Sequence, residues 1–170
     1  MEGSYMTDTA ALRALSDAGL AHQVTRTRRA ANIEEAAALR GVPVEALLKT
    51  LVVRRGDNDY LFVLVPGDRA IDWGKLRRHL AVRRISLPDA EEAFAVTGYE
   101  RGSITPFGAT TVWPVVADSA IATLPTVSLG GGAHGVSVEL SAEALVQVLD
   151  ADVADVTKPL RSVTLFQSEI

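Results

Sequence analysis

The chain contains no cysteine. Disulfides, thiolate zinc sites, iron–sulfur clusters and a cysteine nucleophile are thereby excluded together. No apolar run approaches the roughly 18–20 residues needed to cross a bilayer, and the opening Met1-Glu2-Gly3-Ser4-Tyr5-Met6 lacks a basic segment followed by an apolar one. A soluble, cytoplasmic protein with no membrane attachment is the expectation. There is no Pro-, Gly- or Ser-rich linker and no repeat of fixed period. The three histidines, His22, His79 and His134, lack zinc-ligand spacing, so no metal site is expected. Ser103, in Arg101-Gly102-Ser103-Ile104-Thr105, lacks the G-x-S-x-G nucleophile elbow.

What is present fits one folded unit. The 170 residues are 48% hydrophobic and 22% charged, ample apolar surface for a single core. Helical and extended patterns alternate throughout, which predicts one α/β domain over residues 1–157, followed by a patternless C-terminal tail over 158–170. The net charge of −4 argues against a general nucleic-acid coat, but the charges are uneven. Residues 20–110 carry 14 basic against 11 acidic side chains; residues 111–170 carry 2 against 7. Clusters at Arg26, Arg28 and Arg29, at Arg54 and Arg55, and at Lys75, Arg77, Arg78, Arg83 and Arg84 form either solvated faces or a local basic face for phosphates.

Local signals place the elements. Leu12 and Leu15 at helical spacing with Gly19 beyond them predict a first helix, and residues 22–25 read as a short strand. Asn32 with Glu35 three residues on resembles a capping box, which starts a helix that stops at Gly41. Pro43 opens a short helical turn through Leu48. Residues 51–55 and 60–65 flank the turn formers Gly56-Asp57-Asn58-Asp59 and predict a hairpin, whose second strand is apolar on both faces and therefore central. Asp72 caps a helix, residues 82–87 read as extended, and Pro88 opens another helix. Residues 97–110 hold Gly98, Gly102, Pro106 and Gly108 and read as a structured loop. Strands follow at 112–117, 126–129 and 136–140, then a helix capped by Ser141 and an extended run at 153–156.

Gly130-Gly131-Gly132-Ala133-His134-Gly135 matches G-x-G-x-x-G by letter, but the residues after it alternate at period two. A strand follows instead of a helix N-terminus, so a dinucleotide site is rejected. What remains is a glycine-rich bend, either a plain turn or a place where backbone N–H groups approach a ligand. Lys49 stands between an apolar helical turn and a buried-looking strand, either snorkelling to water or reaching a phosphate or carbonyl oxygen in a cleft. Asp118 ends a strand, where it caps a turn or orients a polar group. His134 is a bystander or a substrate contact.

Taken in order, Leu47-Leu48-Lys49-Thr50-Leu51-Val52-Val53, then Thr97-Gly98-Tyr99-Glu100-Arg101-Gly102-Ser103-Ile104-Thr105-Pro106-Phe107-Gly108, then the glycine bend, the chain resembles the YbaK/ProX-type aminoacyl-tRNA deacylase family over roughly residues 22–149. The central loop carries that family's Gly-x-x-x-Pro element, from Gly102 to Pro106. The resemblance implies a mixed, partly barrel-like sheet flanked by helices. It implies a trans-editing hydrolase, related to the editing domain of some prolyl-tRNA synthetases, that needs no metal or organic cofactor. Its partners would be the acceptor end of a mischarged tRNA and, secondarily, an aminoacyl-tRNA synthetase. By similarity Lys49 would hold the terminal adenosine phosphate or the aminoacyl group. The Gly102 N–H would fix the ester within the turn set by Pro106, with Ser103 among the substrate-binding residues. Gly131 and Gly132, with His134 at their edge, would wall the amino-acid pocket, and Asp118 is carried as a further substrate contact. Two alternatives remain: a non-catalytic module of the same fold that binds tRNA or a synthetase, and a small-nucleotide-binding protein using the bend. The amino acid removed, and from which tRNA, stay open.

Overall fold

In the computed structural model, which describes residues 8–160, three sheets and five α-helices build a mixed α/β unit around two apolar cores. Helix α1 (Ala10–Asp17) leads to β1 (Gln23–Arg26), α2 (Ile33–Arg40), a 3-10 turn (Val44–Ala46) and the hairpin β2 (Leu48–Gly56) and β3 (Asp59–Pro66). Then come β4 (Arg69–Ile71), α3 (Trp73–Leu80), α4 (Ala90–Thr97), the central loop, β5 (Val115–Asp118) and a second 3-10 turn (Ser119–Thr123). The chain continues through β6 (Thr126–Gly130), β7 (Val136–Ser141), α5 (Ala142–Val148), β8 (Asp152–Ala154) and β9 (Thr157–Pro159).

The helix starts follow from side-chain caps. Asn32, Asp72, Asp89 and Ser141 each accept a hydrogen bond from the backbone N–H three residues on, and each contributes about 1 kcal/mol by satisfying an orphan donor. The sequence pattern opens α4 at Pro88, whereas in the structure Asp89 is the cap and the helix begins at Ala90. Two strands are shorter than their apolar patterns suggest. The segment read as extended over 82–87 pairs only through an isolated bridge of Ser86 to Arg54, and β5 begins at Val115 because Val112 is almost fully exposed.

Strands β2, β3, β5 and β8 form one sheet in that order, antiparallel at β2–β3 and parallel after it. Strands β1, β7 and β6 form an antiparallel second sheet, and β4 pairs with β9. A parallel bridge between Leu47 and Ser128 joins the two larger sheets at one corner, so they curve around a shared core without closing into a barrel. Strand β3 explains its apolar run. Phe62 and Leu64 face the core beneath α1, β6 and β7, whereas Leu61, Val63 and Val65 face a second core beneath α3. Burying Phe62 alone is worth roughly 1.5–3 kcal/mol.

Strand β9 extends past residue 157, with Lys158 paired to Ala70 and Pro159 to Arg69. The rest of the predicted tail, residues 161–170, lies outside the described residues. Among the described residues no helix is long and apolar enough to cross a membrane.

Candidate active site

Strand β2 is the edge of its sheet, and among the described residues its outer edge is bridged only at its ends, at Leu47–Ser128 and Arg54–Ser86. Arg54 exchanges both backbone hydrogen bonds with Ser86, at 2.9 and 3.0 Å, on the side away from β3. The two-residue alternation of an antiparallel pair therefore turns the backbone N–H and C=O of Thr50 and Val52 toward the same open edge. A cavity of about 400 Å³ lies along this edge. Its walls are residues 47–52, Ile33 and Arg40 of α2, Leu87 and Pro88, Gly130 at the end of β6, and Arg101, Gly102 and Ile104 of the central loop.

The loop is held rigidly. Thr110 N–H donates to the Thr97 carbonyl at 3.0 Å, and the buried Tyr99 hydroxyl donates to the Phe107 carbonyl at 2.6 Å, closing the loop on itself. Burial pushes the Tyr99 phenol up to about 12, so it stays a donor. Ser103 is buried, and both its N–H and its hydroxyl donate to the Glu100 carbonyl at 2.9 Å. This turn puts Gly102 in the left-handed region, at φ +94, which a side chain rarely adopts. The N–H groups of Gly102 and Ile104 have no protein acceptor among the described residues, and both residues line the cavity.

A second cavity of about 260 Å³ shares Ile33, Arg40 and Gly102 with the first and extends past residues 27–32 to His134 and Gly135. Arg28, Arg29 and Arg40 make it cationic, and the His134 ring stands in its wall. Arg28 is paired with Glu35 at 2.8 Å, and His134 Nε2 lies 3.3 Å from Glu100. Arg40 makes no ion pair among the described residues; its guanidinium donates to the Ser128 hydroxyl at 3.2 Å, and burial lowers its pKa.

Lys49, Gly102 and Gly130 thus line one cavity, and His134 stands next to Gly102 in the adjoining one. Lys49 is the second residue of β2, sharing its face with Leu51 and Val53. Its half-buried amine donates to the Arg69 carbonyl at 2.5 Å, and desolvation lowers its pKa against the opposing pull of Asp68. The other residues singled out from sequence, Ser103, Pro106, Gly131, Gly132 and Asp118, line neither cavity. At Gly131 a Cβ would come within 2.7 Å of Val136, and at Gly132 within 3.0 Å of Tyr99. These two glycines let the bend pack against β7 and α1, where the Thr9 hydroxyl donates to the Gly131 carbonyl at 2.6 Å. Asp118 is buried and accepts from Ala120 N–H at 3.1 Å and Val156 N–H at 3.2 Å, so it caps a turn and ties down the segment before β9.

Two wall residues escaped the sequence reading. Arg40 shares a helical face with Ile33 and Ala36, a spacing visible in the sequence but masked by the Ala-rich run around it. Thr50, one residue beyond Lys49 and hence on the opposite face, has a buried hydroxyl with no hydrogen-bond partner among the described residues. Among the described residues no group of three His, Asp or Glu side chains could hold a metal ion.

The model of the aminoacyl-tRNA editing domain matches residues 27–148, most of the chain. The chain belongs to the aminoacyl-tRNA editing domain family. The editing domain is 32% identical over 99 residues to a proline–tRNA ligase of Thermosipho africanus, a match that covers 58% of this chain and 17% of the ligase. The domain therefore spans only a small part of that relative. It is 23% identical over 117 residues to a candidate Cys-tRNA(Pro)/Cys-tRNA(Cys) deacylase of Enterococcus faecalis, covering 69% of this chain and 71% of that one. The crystal structure of a candidate trans-editing enzyme for prolyl-tRNA synthetase superposes with TM-score 0.78 at 26% identity, covering 89% of this chain and 98% of the other. The mixed sheet flanked by helices that the resemblance implied is thus the fold of this editing domain.

Proposed function

We propose that this editing domain hydrolyses, in trans, the ester linking a wrong amino acid to the 3′ end of a tRNA. The observation that carries the reading is the meeting of Lys49, the Gly102 and Ile104 amides that lack an acceptor among the described residues, and the open edge of β2 around one cavity, beside a second cavity lined by three arginines. The aminoacyl group would enter the first cavity and the terminal nucleotide the second. The names of the Enterococcus protein and of the trans-editing neighbour point the same way.

An aminoacyl ester is already activated, so the domain needs no nucleophile of its own. Water adds to the ester carbonyl and forms a tetrahedral oxyanion while the neighbouring ribose hydroxyl relays a proton, accepting one from the water as it passes its own toward the ester's ribose oxygen. The carbon–oxygen bond to the ribose then breaks, the ribose oxygen takes up a proton, and the amino acid leaves with its new carboxyl. Amides aimed at the oxyanion lower the barrier because they are positioned before the reaction starts, by about 3 kcal/mol each. Gly102 and Ile104 would serve here, and the Thr50 hydroxyl would bond a polar group of the substrate. Lys49 would turn its amine from the Arg69 carbonyl to the adenosine phosphate or the aminoacyl group.

The test is a panel of tRNAs mischarged with alanine, cysteine or serine. Release of amino acid from at least one, with kcat/KM reduced about a hundredfold or more in Lys49→Ala, is the expected result; a panel left intact by the wild-type domain overturns the reading. A second reading, a tRNA- or synthetase-binding module without turnover, draws on the engagement of the Lys49 amine by a protein carbonyl. It predicts salt-sensitive tRNA binding that survives Lys49→Ala.

A further inference from the structure

Next to the cavity, a groove of about 540 Å³ lies between the tip of the β2–β3 hairpin, α3 and the segment that follows α3. Five arginines line it, Arg54, Arg55, Arg77, Arg83 and Arg84, against a single carboxylate, Asp57. Arg54 is engaged by Asp57 at 2.7 Å and Glu92 at 3.5 Å, and Arg55 by Asp59 at 3.0 Å. Arg77, Arg83 and Arg84 have no carboxylate partner among the described residues. In a chain of net charge −4, this places uncompensated positive charge in one groove, where mutual repulsion favours an anionic occupant.

The groove and the cavity adjoin along two segments of chain. Ser86 lies in the groove while the next two residues, Leu87 and Pro88, line the cavity. On the other wall Val52 belongs to the cavity and Arg54 to the groove. The paired backbone hydrogen bonds between Arg54 and Ser86 fix this junction. From Thr50 to Arg55 the strand advances about 17 Å at 3.3–3.4 Å per residue. That is the reach of a few nucleotides of extended single strand.

We infer that the Arg77, Arg83 and Arg84 groove binds the phosphodiester backbone of the tRNA acceptor strand, a few nucleotides before the 3′ end held in the cavity. The inference rests on the deacylase reading for the position of that 3′ end. Arginine suits the task because its planar fork of donors matches phosphate oxygens and its charge is permanent. Such contacts are indifferent to base sequence, so the groove contributes affinity and register while the cavity contributes discrimination.

The experiment compares wild type with Arg77→Gln/Arg83→Gln/Arg84→Gln and with the matching triple lysine variant. Thermal melting of each confirms the fold; Arg83 and Arg84 are exposed and Arg77 is partly so, which makes the substitutions tolerable. Binding of uncharged tRNA is titrated from low to high salt. The glutamine variant should bind about tenfold or more weakly at low salt, its log K against log salt slope shallower by about 2, since each single-strand phosphate contact contributes about 0.7. The lysine variant should recover most of that loss. In deacylation, KM for mischarged tRNA should rise by a similar factor with kcat unchanged, while hydrolysis of a 3′-aminoacyl-adenosine, which has no upstream phosphates, should be unaffected. Wild-type tRNA affinity and salt slope in the glutamine variant overturn the groove, even if the domain proves to be a deacylase. Weakened binding in a domain that cleaves no ester supports the groove and overturns the deacylase reading instead.

Discussion

In the bend over residues 130–135, Gly132 sits at φ +92, and a Cβ there would come within 3.0 Å of Tyr99 and 3.3 Å of both Ala11 and Thr9. In the central loop Gly102 sits at φ +94, and a Cβ there would meet only the His134 ring, at 3.2 Å. Both positions demand a left-handed backbone, and both look alike in sequence. Their surroundings separate them: Gly132 is a point of contact between scaffold elements, whereas the N–H of Gly102 stands at a cavity wall with no acceptor among the described residues. A glycine-rich segment therefore shows where two pieces of chain approach closely. It does not show whether the approaching piece is protein or ligand.

That contrast is sharpest in a pair of substitutions. Gly132→Ala combines backbone strain with overlap against the buried Tyr99 ring and α1, and should cost about 2–4 kcal/mol of unfolding free energy by denaturant titration. Gly102→Ala pays the backbone strain but meets only one partly exposed ring, so its stability loss should be smaller, about 1–2 kcal/mol. Its effect on deacylation should run the other way: kcat/KM about a hundredfold lower for Gly102→Ala, and near wild type for Gly132→Ala at temperatures where it is folded. The comparison breaks if the two variants lose activity in proportion to their stability.

Tyr99 joins the two regions, bonding Phe107 within the central loop and packing on Gly132, so its ionisation loosens both together. Its folded pKa is raised from 10 to about 12. The sign follows from which state releases the proton first. The unfolded chain ionises near pH 10 while the folded one holds its proton, so this stabilisation is complete below pH 10 and is lost as pH rises through about 12. Wild type should therefore lose on the order of 2 kcal/mol more than Tyr99→Phe between pH 9 and 12 in denaturant titrations. Equal losses in the two proteins would show that the ring is not the titrating link.

The smallest expected effect is that of Thr9→Ala. It removes the cap on Leu12 N–H and the bond to the Gly131 carbonyl, and should cost about 1–2 kcal/mol with no change in deacylation. A change in kcat would mean that the bend takes part in catalysis after all.

Much of the fold was legible because its signals are local. Asn32, Asp72 and Ser141 each cap a helix from three residues away, and the turn formers after Arg55 place the β2–β3 hairpin. The three-residue strands β4 and β9 were not legible, since neither has a pattern of its own and they meet only because Ile71 pairs with Thr157. Asp118 reads equally as a cap or as a ligand group until Val156 is seen to donate to it. Arg40 was hidden for a similar reason, its face of α2 acquiring a meaning only from the loop and strand opposite.

By itself the sequence determined where the chain turns, which helices start where, and that Lys49, the central loop and the bend are unusual places. Those choices depend on hydrogen bonds and steric limits spanning about four residues. Only the tertiary structure decided that Gly102, Ile104 and the free edge of β2 share a cavity, that Gly131 and Gly132 serve packing, and that the Lys49 amine rests on Arg69. Those outcomes depend on which distant segments pack together, and close packing lets each backbone group be claimed by a protein neighbour or left open to a ligand.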